Sequence, residues 1–426
     1  MTAPDTHSTI EAIWRIEAAR LIAGLARVVR DVGLAEELAQ DALVSALERW
    51  PQTGVPEKPG AWLMATARNR AIDRIRRNKV FAQKQGEITL EIEGQLEMAV
   101  PDIDAALDDD VGDNLLSLIF TACHPVLSTE ARLALTLRLV GGLTTEEIAR
   151  AFLVPEPTVS QRIVRAKRAL AEARVPFEVP RGAERAARLS SVLQVIYLIF
   201  NEGYTATAGD DWMRPQLCEE AMRLGRVLAG LVPREPEVHG LVALMEIQAS
   251  RFGARTGPSG EPVLLLDQDR GRWDHLLIRR GLAGLARAEA LGGANGLYAL
   301  QAAIAACHAR ARTADATDWS RIAALYDALA QLAGSPVVEL NRAVAHAMAF
   351  GPAAGLALAD ALVGEPTLKA YHLLPGVRGD FLFKLGRFDE AQAAFERAAS
   401  LTRNARERDV LLGRAAESAA GMAKAG

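Results

Sequence analysis

The sequence predicts an all-α protein built from several compact units. Alanine and leucine are abundant, the period-two alternation of half-buried strands is scarce, and apolar residues recur at helical spacing along most of the chain. At roughly 100 to 200 residues per domain, 426 residues make two to four units, and a hydrophobic content of 50% is enough to give each a core. The cysteines Cys123, Cys218 and Cys307 are isolated and odd in number, so neither a disulfide framework nor a CxxC metal site is expected, and no cofactor. Cys123-His124 and Cys307-His308 are adjacent pairs whose side chains diverge on a helix, which favours packing over shared metal binding. No charged-then-apolar leader opens the chain, and its longest apolar runs are too short and too interrupted to span a bilayer. The expected setting is the cytoplasm, with no membrane partner.

Residues 34–50, LAEELAQDALVSALERW, place Leu38, Ala42 and Leu47 on one helical face and turn Glu36, Glu37, Gln40 and Asp41 to solvent. The segment Pro51 to Gly60, PQTGVPEKPG, is proline-rich and reads as a stiff loop. In the next helix, AWLMATARNRAIDRIRR (61–77), Ala61, Ala65, Ile72 and Ile75 are expected inside, Arg70, Arg74 and Arg77 on another side, and Asn69, Asp73 and Arg76 between them. Six cations face one acid between Arg68 and Lys79, a density suited to a phosphate backbone. Trp62 and Asn69 can stack on or hydrogen-bond an unpaired base, although Trp62 suits a core position equally well.

An acidic linker follows over residues 81–113, with ten acids and no Lys or Arg between 85 and 113. Without those ten, residues 1–180 hold 21 cations against 16 acids, so the flanking units are basic inside a chain of net charge -4.

Residues 141–170, GGLTTEEIARAFLVPEPTVSQRIVRAKRAL, read as a helix-turn-helix. Thr144 and Glu147 make a capping box, so a first helix runs from there to about Phe152. A tight turn spans Leu153 to Pro157, and the second helix opens at the proline, which has no N–H to leave orphaned. Val159, Ile163, Ala166 and Leu170 are its buried stripe. Opposite lie Gln161, Arg165 and Arg168, flanked by Thr158 and Arg162 on one side and Ser160 and Lys167 on the other. A helix so placed enters the major groove, where Arg reads guanine, Gln reads adenine and the remaining cations hold phosphates. Leu153 is a poor residue for a left-handed turn position, which leaves individual base contacts less defined than phosphate contacts.

Taken in order, the AEELAQDAL helix, the WL…ARNRAIDRIRR helix and the helix-turn-helix resemble region 2 and region 4 of bacterial sigma factors, specifically the extracytoplasmic-function (ECF) class of the sigma-70 family. The resemblance covers roughly residues 10–175. It implies a region 2 domain over 10–80 and a region 4 domain over 114–175, joined by the linker. By the same resemblance, Glu36, Glu37, Gln40 and Asp41 dock on core RNA polymerase. Trp62, Arg68, Asn69, Arg70, Asp73, Arg74, Arg76 and Arg77 engage and melt the −10 element of promoter DNA, and Thr158, Ser160, Gln161, Arg162, Arg165, Lys167 and Arg168 read the −35 element. The resemblance also threads the linker through the polymerase cleft, although a plain solvated tether explains its composition equally.

Most relatives of this plan end near the helix-turn-helix, whereas this chain continues for about 245 residues. That tail, 184–426, resembles the helical, tetratricopeptide-like extension of a minority of such factors, and implies regulation in cis with a surface for a protein or peptide partner. Its clearest repeat is Leu374 to Leu401, where Gly379, Leu382, Gly386, Ala391, Phe395 and Ala398 fall at repeat spacing; a weaker one lies around Leu340 to Leu362. VLQVIYLIFNEGYTA (192–206) reads as a buried helix. Asp267, Asp269, Arg270, Asp274 and His275 read as a capped helix with surface ion pairs rather than a catalytic or metal cluster, so no enzyme is expected. A ligand-sensing helix-turn-helix regulator, with the tail as effector domain, is the alternative reading; it leaves the 34–50 helix and the linker without a role.

Overall fold

A computed structural model describes residues 3–84, 111–152, 154–204, 213–257, 263–402 and 405–425. Among the described residues it holds eighteen α-helices and no strand, as the composition predicts. The chain divides into two compact units, Met1–Val232 and Pro233–Gly426.

In the first unit, α1 (Ala3–Val29), α2 (Val32–Thr53) and α3 (Pro59–Lys84) form a small bundle. Asp31 starts α2 by accepting the Leu34 N–H at 2.9 Å. The helix runs through Pro51 and stops at Gly54, whose φ of +83° favours glycine and whose N–H caps Trp50 O at 2.9 Å. The stiff loop expected over 51–60 is thus shorter, because both of its ends are helical. The buried stripe of α3 also differs from the expected one. Leu63, Ala67 and Ala71 are buried, while Ala61 and Ala65 are exposed and Ile72 is half-buried; the side chain of Ile75 lies outside the described residues. Two overlapping alanine stripes compete on this helix, and Leu63 decides between them by offering far more apolar area than any alanine.

The second half of this unit contains α4 (Val111–Ala122), α5 (Thr129–Leu139), α6 (Thr145–Phe152) and α7 (Glu156–Glu172). Ser128 caps α5 through the Ala131 N–H, and Gly142, at φ +71°, turns the chain into α6. The expected capping box is present: Glu147 N–H donates to Thr144 Oγ1 at 3.1 Å, and Thr144 N–H donates to a Glu147 carboxylate oxygen at 2.8 Å. The second helix starts at Glu156, one residue before Pro157, and Val159, Ile163, Ala166 and Leu170 are buried as expected. Leu153, and the linker from 85 to 110, lie outside the described residues.

Two further helices, α8 (Gly182–Tyr204) and α9 (Pro215–Leu231), complete the first unit. Val192, Leu193, Val195, Ile196, Ile199 and Phe200 of α8 are buried, as its apolar run predicts, although Gln194 is exposed. Both helices send polar groups to carbonyls left open where α4, α5 and α6 end. Arg188 donates to Phe120 O at 2.9 Å, Ser191 Oγ to Cys123 O at 2.8 Å, and Arg223 to Val140 O at 2.9 Å, while Arg214 reaches Ala151 O. These orphan carbonyls at the negative ends of helices favour cations.

The second unit comprises α10 (Pro236–Ala249), α11 (His275–Ala290), α12 (Leu297–Arg310), α13 (Trp319–Ala333), α14 (Pro336–Phe350), α15 (Pro352–Ala361), α16 (Leu373–Lys384), α17 (Phe388–Leu401) and α18 (Ala405–Ala425). Each helix packs chiefly on its neighbours in sequence, and α10 also packs on α12, as helices do in stacks of helical repeats. In the α16/α17 hairpin a Cβ on Gly379 would lie 2.9 Å from the Phe395 ring, so the glycine admits the aromatic. In α14/α15 a Cβ on Gly355 would lie 2.5 Å from that of Ala347. The repeat position Gly379 noted in the sequence therefore marks a close helix crossing, and Gly355, which the sequence reading did not single out, marks another.

Candidate nucleic-acid interface

The face of α7 opposite its buried stripe carries the expected residues. Ser160, Gln161, Arg165 and Arg168 are exposed, and Thr158, Arg162 and Lys167 are half-buried. Arg168 is paired with Glu172 at 2.6 Å, one turn along. Lys167 forms an ion pair with Glu36 Oε2, an oxygen that takes no hydrogen bond of ordinary geometry, and so it is engaged by the α1–α3 bundle.

On α3, Asn69, Asp73 and Arg74 are exposed and Trp62, Arg68 and Arg70 half-buried; the side chains of Arg76 and Arg77 lie outside the described residues. Trp62 meets buried Trp50 edge-on, with ring centroids 5.3 Å apart at 66°, so one edge belongs to the core. Arg70 pairs with Asp41 at 3.1 Å and donates to Ser45 Oγ at 2.7 Å; Arg74 pairs with Glu37 at 3.3 Å. The structure thus joins two residue sets that the sequence kept apart: the acidic row of α2 holds the cations of α3.

One expected residue is placed differently. Glu36 does not face solvent; its side chain is 5% exposed. It accepts from Gln40 Nε2 at 2.7 Å and from Arg138 Nε of α5 at 2.6 Å, besides its pair with Lys167. Its position turns inward because α5 and α7 cover this face of α2, a long-range contact that no helical period can announce. Glu37 and Asp41 are exposed, and Gln40 is half-buried.

Sequence reasoning missed Arg138 and Arg15. Arg138 also donates to Leu143 O at 3.1 Å, and Arg15 of α1 bonds Glu147, the capping-box acid, at 2.7 Å. Nothing local distinguishes either from a solvated arginine.

The other motifs resolve into structural roles. Asp269 accepts the Gly271 N–H, Asp274 accepts the N–H groups of Leu276 and Leu277 and starts α11, and Arg270 donates to the carbonyls of His308 and Ala311. Cys123 is buried beside Thr136, and burial pushes its thiol up to about 11, which keeps it an unreactive thiol. Burial, reinforced by Arg251 and Arg270, pushes His308 down to about 3. Among the described residues no helix is long and apolar enough to cross a membrane.

A helix-turn-helix with an exposed cationic second helix, joined in one unit to a second cationic helix, defines a DNA-reading protein of the transcription machinery. Residues 15–80 match sigma-70 region 2, residues 117–170 match sigma-70 region 4, and residues 188–289 match a family of unknown function, DUF6596. An uncharacterized protein of Rhizobium meliloti (strain 1021) is 44% identical over 384 residues, 90% of this chain and 89% of that protein. The probable ECF RNA polymerase sigma factor SigI of Mycobacterium tuberculosis is 27% identical over 183 residues, 42% of this chain and 60% of SigI. The chain thus carries sigma-70 regions 2 and 4 ahead of a helical C-terminal extension, and it is a homologue of an ECF sigma factor. Modules of this kind indicate a transcription-initiation factor with no chemistry of its own.

Proposed function

We propose that this chain is a dissociable specificity subunit that binds core RNA polymerase, recognises the −10 and −35 elements of its promoters and starts strand opening, at the nucleoid. The observation that carries the reading is the exposed Gln161, Arg165 and Arg168 face of α7, set on a packed helix-turn-helix. In this assignment the region 4 domain spans 114–175 and reads −35 with Thr158, Ser160, Gln161, Arg162, Arg165, Lys167 and Arg168. The region 2 domain spans 10–80. There Trp62, Arg68, Asn69, Arg70, Asp73, Arg74, Arg76 and Arg77 serve the −10 element, while Glu37, Gln40 and Asp41, joined by Glu36 once uncovered, serve polymerase docking. A flipped promoter base would meet the free edge of Trp62, since its other edge is held by Trp50. The extension regulates the factor in cis and offers its helical hairpins to a protein or peptide partner. A ligand-sensing regulator without polymerase contact has no use for the region 2 module.

The test is in vitro transcription with purified core polymerase, comparing the full chain with a version ending at Val232. A cut near residue 180 would instead strip Arg188, Ser191, Arg214 and Arg223 from the helix ends they cap. Promoter-specific transcripts that appear only when the chain is added support the reading, and the truncation reads whether the second unit activates or restrains. Absence of core binding by both versions refutes it.

A further inference from the structure

The one deeply buried carboxylate of the candidate interface is held by cations from the other half of the unit. Glu36 sits on α2, in the row expected to dock polymerase, and its side chain is 5% exposed. Arg138 and Lys167, at 21% and 23%, both come from the helix-turn-helix half. The cover extends around them. Lys167 lies along Gly33 at the start of α2, and Arg15 of α1 bonds Glu147 at 2.7 Å. A buried carboxylate is costly unless its partners are present together, so this contact selects one arrangement of the two halves over others. A surface pair such as Arg15–Glu147, with Arg15 66% exposed, adds little to that selection.

We infer that Glu36 is the catch of a closed, self-masking state, in which Arg138 and Lys167 of region 4 cover the polymerase-docking face of region 2 while Lys167 is withheld from DNA. The inference rests on the proposed sigma function. One contact silences two surfaces: Glu36 cannot meet polymerase while it is covered, and Lys167 cannot meet a phosphate while it is paired. Release needs a competitor for both ends, and the full promoter complex supplies it, because polymerase offers a docking surface to α2 and DNA offers phosphates to Lys167. Either ligand alone opposes the whole catch. A closed population of about 90% weakens the apparent affinity of each by about tenfold.

The geometry supplies its own test. A Cβ built on Gly33 would lie 3.8 Å from the Cβ of Lys167, close to the mean disulfide spacing of about 3.8 Å. Asp31 Oδ1, 3.1 Å from that Cβ, would have to give by a few tenths of an ångström. The native cysteines are buried and none is in a disulfide, so a full chain carrying Gly33→Cys and Lys167→Cys has one accessible pair. Mild oxidation should form an intrachain bond, detected by mobility on a non-reducing gel and by thiol count. The oxidised protein, locked closed, should bind core polymerase and initiate transcription far more than tenfold more weakly than the same protein after reduction. If no bond forms, or if the bonded protein is as active as the reduced one, the inference is overturned. The cross-linking yield is read without polymerase, so a reduced and wild-type chain that both ignore core would sink the sigma reading while the catch is judged separately. A second variant, Arg138→Gln, removes a cation that belongs to neither candidate interface. It should tighten core binding several-fold, and an unchanged affinity counts against the catch.

Discussion

Two cationic helices of this chain meet opposite fates. On α7, Gln161 and Arg165 are exposed, with no hydrogen bond or ion pair to any described residue. On α3, Arg70 and Arg74 are held by Asp41 and Glu37 of the neighbouring helix. The outward Gln161–Arg165 row of the first helix is open to a duplex, while Lys167 beside it is held by Glu36. The second must exchange carboxylates for phosphates, and the exchange is favourable only if the freed acids find a new partner. Polymerase docking on the same acids would supply one. The comparison therefore makes the −10 helix the one whose competence depends on α2 being occupied.

The heaviest way to break this contrast is to remove the platform of α7. Ile163→Ala in its buried stripe should cost about 2–5 kcal/mol of stability, read by denaturant unfolding, and should abolish both promoter contacts together. Next is the readout itself. Arg165→Ala should weaken promoter binding by the holoenzyme by about 1–3 kcal/mol and relax preference at one base position, whereas Arg74→Ala should cost less because its pair with Glu37 is also given up. Equal losses in a fluorescence-anisotropy titration would erase the distinction between the helices.

A pH series sharpens the comparison by asking whether the second unit behaves independently. Unfolded His308 takes up a proton near pH 6.5, while the folded form resists until about pH 3. Protonation therefore favours the unfolded chain in that window, and the stability of Pro233–Gly426 should fall as pH drops through it. In His308→Asn the slope should flatten, without change in promoter selectivity at neutral pH. The smallest effect is at Arg174, where α7 hands over to the next segment with φ +48°, a conformation that favours glycine. Arg174→Gly should raise the melting temperature of the first unit by the equivalent of up to about 1 kcal/mol, leaving Arg165 and its DNA contacts as they are.

Local signals carried the helix-turn-helix well. The Thr144–Glu147 box and the 159, 163, 166, 170 stripe are satisfied by neighbours within one turn or two, and short-range physics writes them into short-range sequence. The repeat positions Gly379 and Gly386 were legible for a similar reason, since one must be small at a crossing and the other, at φ +75°, must turn left-handed. The face of α3 was misjudged because alanine at 61, 65, 67 and 71 gives two stripes of nearly equal pattern. Glu36 was misjudged for a deeper reason: its burial depends on Arg138, 102 residues away, and on Lys167, and a helical wheel reports only its own helix. The division of the chain after Val232 was hidden in the same way, because arginines that cap distant carbonyls look like any surface arginine.

Those capping arginines bear on how such a protein can be rebuilt. Phe120, Val140 and Ala151 close or follow helices of the DNA-reading half, and their carbonyls are answered by Arg188, Arg223 and Arg214, residues that a minimal helix-turn-helix graft would leave behind. A promoter-specificity swap made at residue 175 would transplant a reader with open seams. Cut after residue 232, the same graft would carry its own stitching.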